Sequence, residues 1–229
     1  HDAGSGAGRW DGKRRAGNGI RMPLFMEPRE IAPGAVLLPG FALPVGLGLR
    51  DGIRRIAAEA PFRRMTTPGG FPMSVSMTNC GPLGWVTDRA GYRYSSVDPE
   101  SHRPWPAMPD SFRSLAVAAA TAAGFAEFAP DACLINRYAP GAKMSPHQDK
   151  DERDMEQPIV SVSLGLPGVF QFGGLQRSDV LQRIPIEDGD VVVWGGPSRL
   201  RYHGVLLVKA GDHPVFGPYR YNLTFRCAA

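Results

Sequence analysis

The sequence predicts a mainly β fold with flanking helices (α+β), its strands closing into a sandwich or small barrel. Three observations point there. Glycine and proline are abundant, at 28 and 22 of 229 residues, which favours many turns over long helices. Past Pro130, apolar and polar residues alternate in short runs punctuated by glycine, the pattern of strands in a sandwich or barrel. Just two stretches carry the 3.6-residue apolar spacing of a helix.

The elements follow in chain order. Residues 1–21 are Gly-rich and basic, with Arg9, Lys13, Arg14, Arg15 and Arg21 against Asp2 and Asp11. They hold too little apolar surface to pack, so a disordered basic tail is expected. The chain opens on His1, and Met22 reads as a natural start, which leaves 22–229 as the folded domain. Leu49, Ile53, Ile56, Ala57 and Ala60 predict a first helix, stopped at Pro61. Residues 61–108 read as irregular and aromatic, a lid before the barrel. A second helix is expected from Asp110 or Ser111 as N-cap, through Phe112, Leu115, Ala119 and Ala122, to Gly124. Strands are then expected at Cys133–Tyr138, Val160–Leu164, Val169–Phe172, Val191–Trp194 and Tyr219–Phe225, in a core over about 130–227.

Composition excludes several classes. No apolar run approaches the length of a membrane-spanning helix, and no apolar secretion-signal core is visible. Cys80, Cys133 and Cys227 form no CxxC pair, which argues against a disulfide framework or cysteine zinc site and for a reducing compartment. A cytoplasmic location is therefore expected. Most of the +4 net charge belongs to residues 1–21, so the basic balance says little about the folded domain. No coiled-coil seam is visible, and a monomer is expected.

Chemistry concentrates in three segments. His147-Gln148-Asp149 puts an imidazole and a carboxylate two apart, on one face of an extended chain. Alone, this could be a surface histidine beside a solvated aspartate. His203, 56 residues later on an expected strand, completes two histidines and one carboxylate, the ligand set of non-haem Fe(II) oxygenases. His102 and His213 flank proline-rich turns and read as surface residues.

The run Arg220-Tyr221-Asn222-Leu223-Thr224-Phe225-Arg226 is the most informative. Period 2 places Arg220, Asn222, Thr224 and Arg226 on one face and Tyr221, Leu223 and Phe225 on the other. An apolar face marks a core-packed strand, so the polar face points two guanidiniums inward. Unpartnered, each would cost several kcal/mol; a dianionic ligand held at both ends would satisfy them. A wet edge strand is the alternative. Asn136 and Tyr138 alternate likewise and offer an amide and a phenol to the same cavity.

Together these segments resemble the bacterial AlkB family of Fe(II)- and 2-oxoglutarate-dependent dioxygenases. The matching motifs are Thr-Asn-Cys-Gly (78–81), Leu-Gly-Trp (83–85), Arg-Pro-Trp-Pro-Ala-Met-Pro (103–109) and Cys-Leu-Ile-Asn-Arg-Tyr-Ala-Pro-Gly-Ala-Lys (133–143). They continue with His-Gln-Asp-Lys-Asp (147–151), Gly-Asp-Val-Val-Val-Trp-Gly-Gly (189–196), Tyr-His-Gly (202–204) and Arg-Tyr-Asn-Leu-Thr-Phe-Arg (220–226). The resemblance spans roughly residues 22–227 and omits the tail. One departure is Pro146 directly before His147, which restricts the preceding residue and removes a donor.

The resemblance implies a double-stranded β-helix (jelly-roll) core with an N-terminal nucleotide-recognition lid. It implies that His147, Asp149 and His203 bind Fe(II). Arg220 and Arg226 would meet the two carboxylates of 2-oxoglutarate, assisted by Asn136, Tyr138 and Asn222. In the lid, Trp85 would stack on a flipped base and Tyr92 would contact its backbone. Asp151 would face the base edge, and Arg177 would lie near a phosphate. The implied activity uses O2 for oxidative demethylation of 1-methyladenine and 3-methylcytosine in DNA or RNA, coupled to 2-oxoglutarate decarboxylation and formaldehyde release. Single-stranded nucleic acid is the expected partner, with duplex DNA second. The competing expectations are a 2-oxoglutarate-dependent hydroxylase of protein or a small molecule, and a non-catalytic binding barrel.

Overall fold

The computed structural model describes residues 27–229; the tail expected over 1–21 and the start expected at Met22 lie outside the described residues. Its first elements are β1 (Arg29–Ala32), β2 (Ala35–Leu38), α1 (Gly46–Glu59), β3 (Arg63–Thr66), β4 (Pro72–Cys80), β5 (Gly84–Asp88), β6 (Gly91–Ser95) and α2 (Asp110–Ala122). Then come β7 (Ala132–Tyr138), β8 (Met144–His147), β9 (Ile159–Gly165), β10 (Gly168–Phe172), β11 (Gln182–Ile186), β12 (Val191–Trp194), β13 (His203–Val205) and β14 (Arg220–Arg226). The last eight strands form a jelly roll. One sheet runs β12-β9-β14-β7 and the facing one β11-β10-β13-β8. At its two edges the first sheet is extended by β2 and β1 beyond β12, and by β4 and β3 beyond β7.

The larger sheet separates two cores. On one face, Leu49, Ile53 and Ile56 of α1 and Phe112 and Leu115 of α2 pack against the sheet residues Ile135, Val162, Val193, Leu223 and Phe225. Alternate residues, including Leu134, Ile159, Val192 and Trp194, turn the other way and meet Phe170, Phe172 and Ile184 of the smaller sheet. Each such buried side chain contributes about 1.5–3 kcal/mol of transfer free energy. The second core takes Leu134 and Tyr138 from β7 and nothing from β14, whose inner face is polar throughout, with Arg220, Asn222, Thr224 and Arg226 buried there.

Two local expectations change. The N-cap of α2 is Pro109, with no side-chain cap bond, so neither Asp110 nor Ser111 caps it; Asp110 lies in the first turn, where its charge suits the helix dipole. Residues 61–108 are not irregular. They hold β3 to β6, and β4 pairs with β7 along the large sheet. Dense Gly and Pro in the turns hid these short strands. The β5–β6 hairpin stands apart as a two-stranded sheet. At the helix crossing, a Cβ on Gly52 would lie 2.5 Å from Phe112 Cε1, so glycine permits the approach of α1 to α2.

Candidate active site

The pairing of β13 with β8 sets His203 opposite His147, with ring centroids 4.5 Å apart. Gly204 makes that approach possible: a Cβ there would meet the Met144 carbonyl oxygen at 2.6 Å and Pro146 N at 3.0 Å. Pro146 is accommodated because β8 is the edge strand of its sheet and its pairing is irregular there. Asp149 follows just beyond β8. Its Oδ1 lies 3.4 Å from His147 Nε2 and 3.6 Å from His203 Nε2. One ligand atom from each of the three residues falls within 4.8 Å of the others.

The backbone orients both imidazoles. His147 Nδ1 lies 2.9 Å from the Ser145 carbonyl oxygen, and His203 Nδ1 lies 3.1 Å from that of Arg201. With Nδ1 donating, each Nε2 keeps its lone pair for a metal. Burial, then the neighbouring His147, holds His203 down at about 4, so it is neutral near pH 7. Burial opposes charge on His147 as well, but the bond to Asp149 and its charge prevail and raise its pKa. Burial likewise opposes the Asp149 carboxylate, and Arg226 followed by the imidazoles outweighs it, holding the pKa well below the usual carboxylate range.

The strand carrying the arginines is central, between β9 and β7, rather than a wet edge. Arg220 is 1% exposed. Its Nη2 donates to Ser163 Oγ at 3.0 Å, while Nε and Nη1 are buried with no partner among the described residues. Burial lowers its pKa, and the Tyr138 ring lies 5.8 Å away. Burial also pushes the Tyr138 phenol up to about 12, so it remains neutral. A buried guanidinium with two unused donors matches a carboxylate, and one end of 2-oxoglutarate fits here. Asn136 pairs directly with Asn222 across β7 and β14 and donates to its Oδ1 at 3.2 Å. The Asn222 amide donates onward to Ser161 Oγ at 2.7 Å, so it braces the cavity floor.

Arg226 lines the same cavity and, unlike Arg220, has carboxylate partners within the protein. Its Nε and Nη2 donate to Asp149 Oδ2 at 2.9 and 2.7 Å, and Nε lies 3.3 Å from Glu152 Oε1. Asp149 thus turns one oxygen to the imidazoles and the other to Arg226. Glu152 and Arg199 complete this cluster and were absent from the sequence-predicted set. Arg199 Nη2 donates to Glu152 Oε2 at 3.0 Å, and its Nη1 donates to the Asp149 carbonyl at 2.7 Å. Two carboxylates and two guanidiniums leave the buried cluster neutral, which offsets the several kcal/mol that each isolated charge would cost. An inward Arg226 calls for a nearby acid, which points to Glu152 once the fold places it; nothing in the sequence singles out Arg199.

The lid residues gather at the mouth of a cavity of about 660 Å³, lined also by the three candidate metal ligands. Trp85 Nε1 donates to Asp151 Oδ2 at 2.9 Å, so Asp151 fixes the indole. Tyr92 stacks on Trp85, with centroids 5.7 Å and planes 19° apart, which places it first against the indole rather than alone at the rim. Arg177 lies at the mouth, 5.9 Å from the Tyr202 ring. His102 is exposed as expected, whereas His213 is partly buried, 3.4 Å from Asp188.

Known proteins are similar to this chain in sequence and fold. The family model for the 2OG-Fe(II) oxygenase superfamily matches residues 34–226. The alpha-ketoglutarate-dependent dioxygenase AlkB of Salmonella typhimurium is 64% identical over 205 residues, covering 90% of this chain and 94% of that protein. The tRNA demethylase abh1 of Schizosaccharomyces pombe is 30% identical over 202 residues, 86% of this chain and 65% of that one. The solved structure of OsALKBH1 superposes with a TM-score of 0.77 at 28% identity, covering 87% of this chain and 99% of that chain. Since the family match takes in all eight jelly-roll strands and every residue of the His–Asp–His cluster, the chain belongs to the AlkB-type dioxygenases of the 2OG-Fe(II) oxygenase superfamily, enzymes of Fe(II), 2-oxoglutarate and O2.

Proposed function

We propose that this enzyme removes alkyl groups from nucleic-acid bases by oxidation, with 1-methyladenine and 3-methylcytosine as substrates. One observation carries this reading: a single cavity joins the His147–Asp149–His203 cluster, the open Arg220 guanidinium and the Trp85–Asp151 pair. Fe(II) with 2-oxoglutarate and O2 supplies the hydroxylation of an N-alkyl carbon, after which formaldehyde leaves. The protein's part is to hold and select. His147, Asp149 and His203 would bind the metal, and Arg220 would receive a cosubstrate carboxylate, with Arg226 braced against Asp149. Asn136, Tyr138 and Asn222 would shape the floor beneath it.

Selection of damage has a physical basis. Both substrates are cations, so stacking on Trp85 adds cation–π attraction, and the Asp151 carboxylate adds Coulomb attraction that the unmethylated base lacks. The Trp85 face supports a flipped base, Tyr92 at the rim supports a contact to its backbone, and exposed Arg177 supports a phosphate contact. The similarity to the tRNA demethylase of Schizosaccharomyces pombe supports a nucleic-acid substrate. Single-stranded nucleic acid is the preferred partner, because flipping from a duplex costs a few kcal/mol. We take the enzyme to act as a monomer in the cytoplasm, which its free cysteines suit. No helix among the described residues is long and apolar enough to cross a membrane.

The test measures formaldehyde and succinate together on a single-stranded oligonucleotide bearing 3-methylcytosine. Equal yields are expected. Succinate without formaldehyde on every methylated DNA and RNA would transfer the activity to a protein or small-molecule substrate.

A further inference from the structure

Asn79, Thr66 and Trp105 hold the β5–β6 hairpin to the body of the protein, and two of its own side chains tie it to the segment after β8; the second of these has no role in the reading above. Trp85 and Tyr94 are directly paired across the hairpin and so share one face. Trp85 is tied to Asp151. Tyr94 reaches past it, and its hydroxyl donates to Glu152 Oε1. Arg226 Nη1 lies 3.4 Å from the same hydroxyl, and Arg226 Nε lies 3.3 Å from Glu152 Oε1. The same Nε and the Nη2 of Arg226 hold Asp149 Oδ2. The hairpin that presents Trp85 is thus joined through Tyr94, Glu152 and Arg226 to a candidate metal ligand, without a break in hydrogen-bond contact. Glu152 is 6% exposed, so this chain of contacts is shielded from water.

We infer that Tyr94 and Glu152 are positioning residues forming a latch, through which seating of the hairpin on a base fixes the Arg226 guanidinium against Asp149 and the cosubstrate. This inference rests on the nucleic-acid reading above. Neither Tyr94 nor Glu152 takes part in the chemistry; they link two binding events. Such linkage is reciprocal. Bound oligonucleotide tightens 2-oxoglutarate binding, and bound 2-oxoglutarate tightens oligonucleotide binding by the same factor.

The experiment measures 2-oxoglutarate affinity on the Mn(II)-loaded protein by calorimetry, with and without a 3-methylcytosine oligonucleotide. Wild type should show a coupling factor of about fivefold or more, the ordinary range for linked sites. Tyr94→Phe keeps the ring and removes the hydroxyl. It should bring the factor close to one while leaving 2-oxoglutarate affinity without oligonucleotide nearly unchanged, which loss of packing alone would not do. Glu152→Gln, a second route to the same loss, should also abolish coupling. Coupling retained in both variants, or absent from wild type that binds both ligands, overturns the latch. If wild type fails to bind the methylated oligonucleotide, the nucleic-acid reading itself falls, and the latch falls with it.

Discussion

Arg220→Met should weaken cosubstrate binding while leaving the unliganded protein as stable as wild type or more so. The two effects have one origin. Arg220 is fully buried, with Nε and Nη1 unpartnered and one bond to Ser163. Its charge is a cost to the empty protein and a gain to the loaded one. Replacing a buried unpaired charge by an apolar side chain of similar length recovers about 1–4 kcal/mol. Loss of the Tyr138 ring contact at 5.8 Å takes back about 0.5–2 kcal/mol. The balance is about 1 kcal/mol, or roughly 2–4 °C in melting temperature for a domain of this size. In the complex, the two open donors would each make a charge-assisted bond worth about 1.5–3 kcal/mol. Losing both lowers 2-oxoglutarate affinity by roughly a hundredfold to ten-thousandfold. Thermal melts of the metal-free protein and calorimetry of 2-oxoglutarate on the Mn(II)-loaded protein read the two arms. Undiminished affinity would show that the open donors of Arg220 do not meet the cosubstrate. A clear fall in melting temperature would refute the reasoning that its charge is unpaired.

Three further outcomes follow from the geometry. Trp85→Ala should reduce kcat/KM on a methylated oligonucleotide by the equivalent of about 1–3 kcal/mol, the worth of base–aromatic stacking, with succinate formation without substrate retained; an unchanged kcat/KM would remove Trp85 from base recognition. Gly204→Ala should push β13 from β8, since its Cβ would lie 2.6 Å from a backbone oxygen, and should lower stability by about 1–3 kcal/mol along with Mn(II) affinity; intact affinity would show that the two histidines need not be so close. Metal affinity should also fall with acidification, because ligands must shed their protons. The raised pKa of His147 makes it the first to compete, at about tenfold per pH unit. His203, held at about 4, adds a second proton only near that pH, so a two-proton slope at mild acidity would contradict the assignment.

Much of the site is legible in one dimension because β14 is a regular strand. Its period-2 alternation alone separates Arg220, Asn222, Thr224 and Arg226 from Leu223 and Phe225, and the structure buries both sets on opposite faces of one sheet. His147, Asp149 and His203 are legible as types, whereas their meeting depends on the β8–β13 register, which no local pattern encodes. Glu152 sits inside the charged run 149–154, which reads as solvated surface, and Arg199 follows a glycine- and proline-rich turn. Both are buried because distant strands enclose them, so their roles emerge only when the arginines' partners are sought in space. The short strands over 61–108 escaped for the opposite reason: their turns are conspicuous, and their pairing partner β7 lies tens of residues away.

The position of β14 has a consequence for synthesis on the ribosome. It fills the middle of the large sheet, between β7 and β9, yet follows every other described strand in the chain. At translation rates of 5–20 residues per second, β7 waits roughly 5–20 s for its neighbour. During that interval β7 and β9 each carry an unpaired edge within an apolar sheet, the kind of surface that recruits other chains. Arg220 and Arg226 also arrive on this last strand, so a nascent intermediate that already carries His147, Asp149 and His203 still lacks the arginines for the cosubstrate. Nascent chains should therefore depend on holding chaperones until β14 inserts, and 2-oxoglutarate binding should begin only after that step.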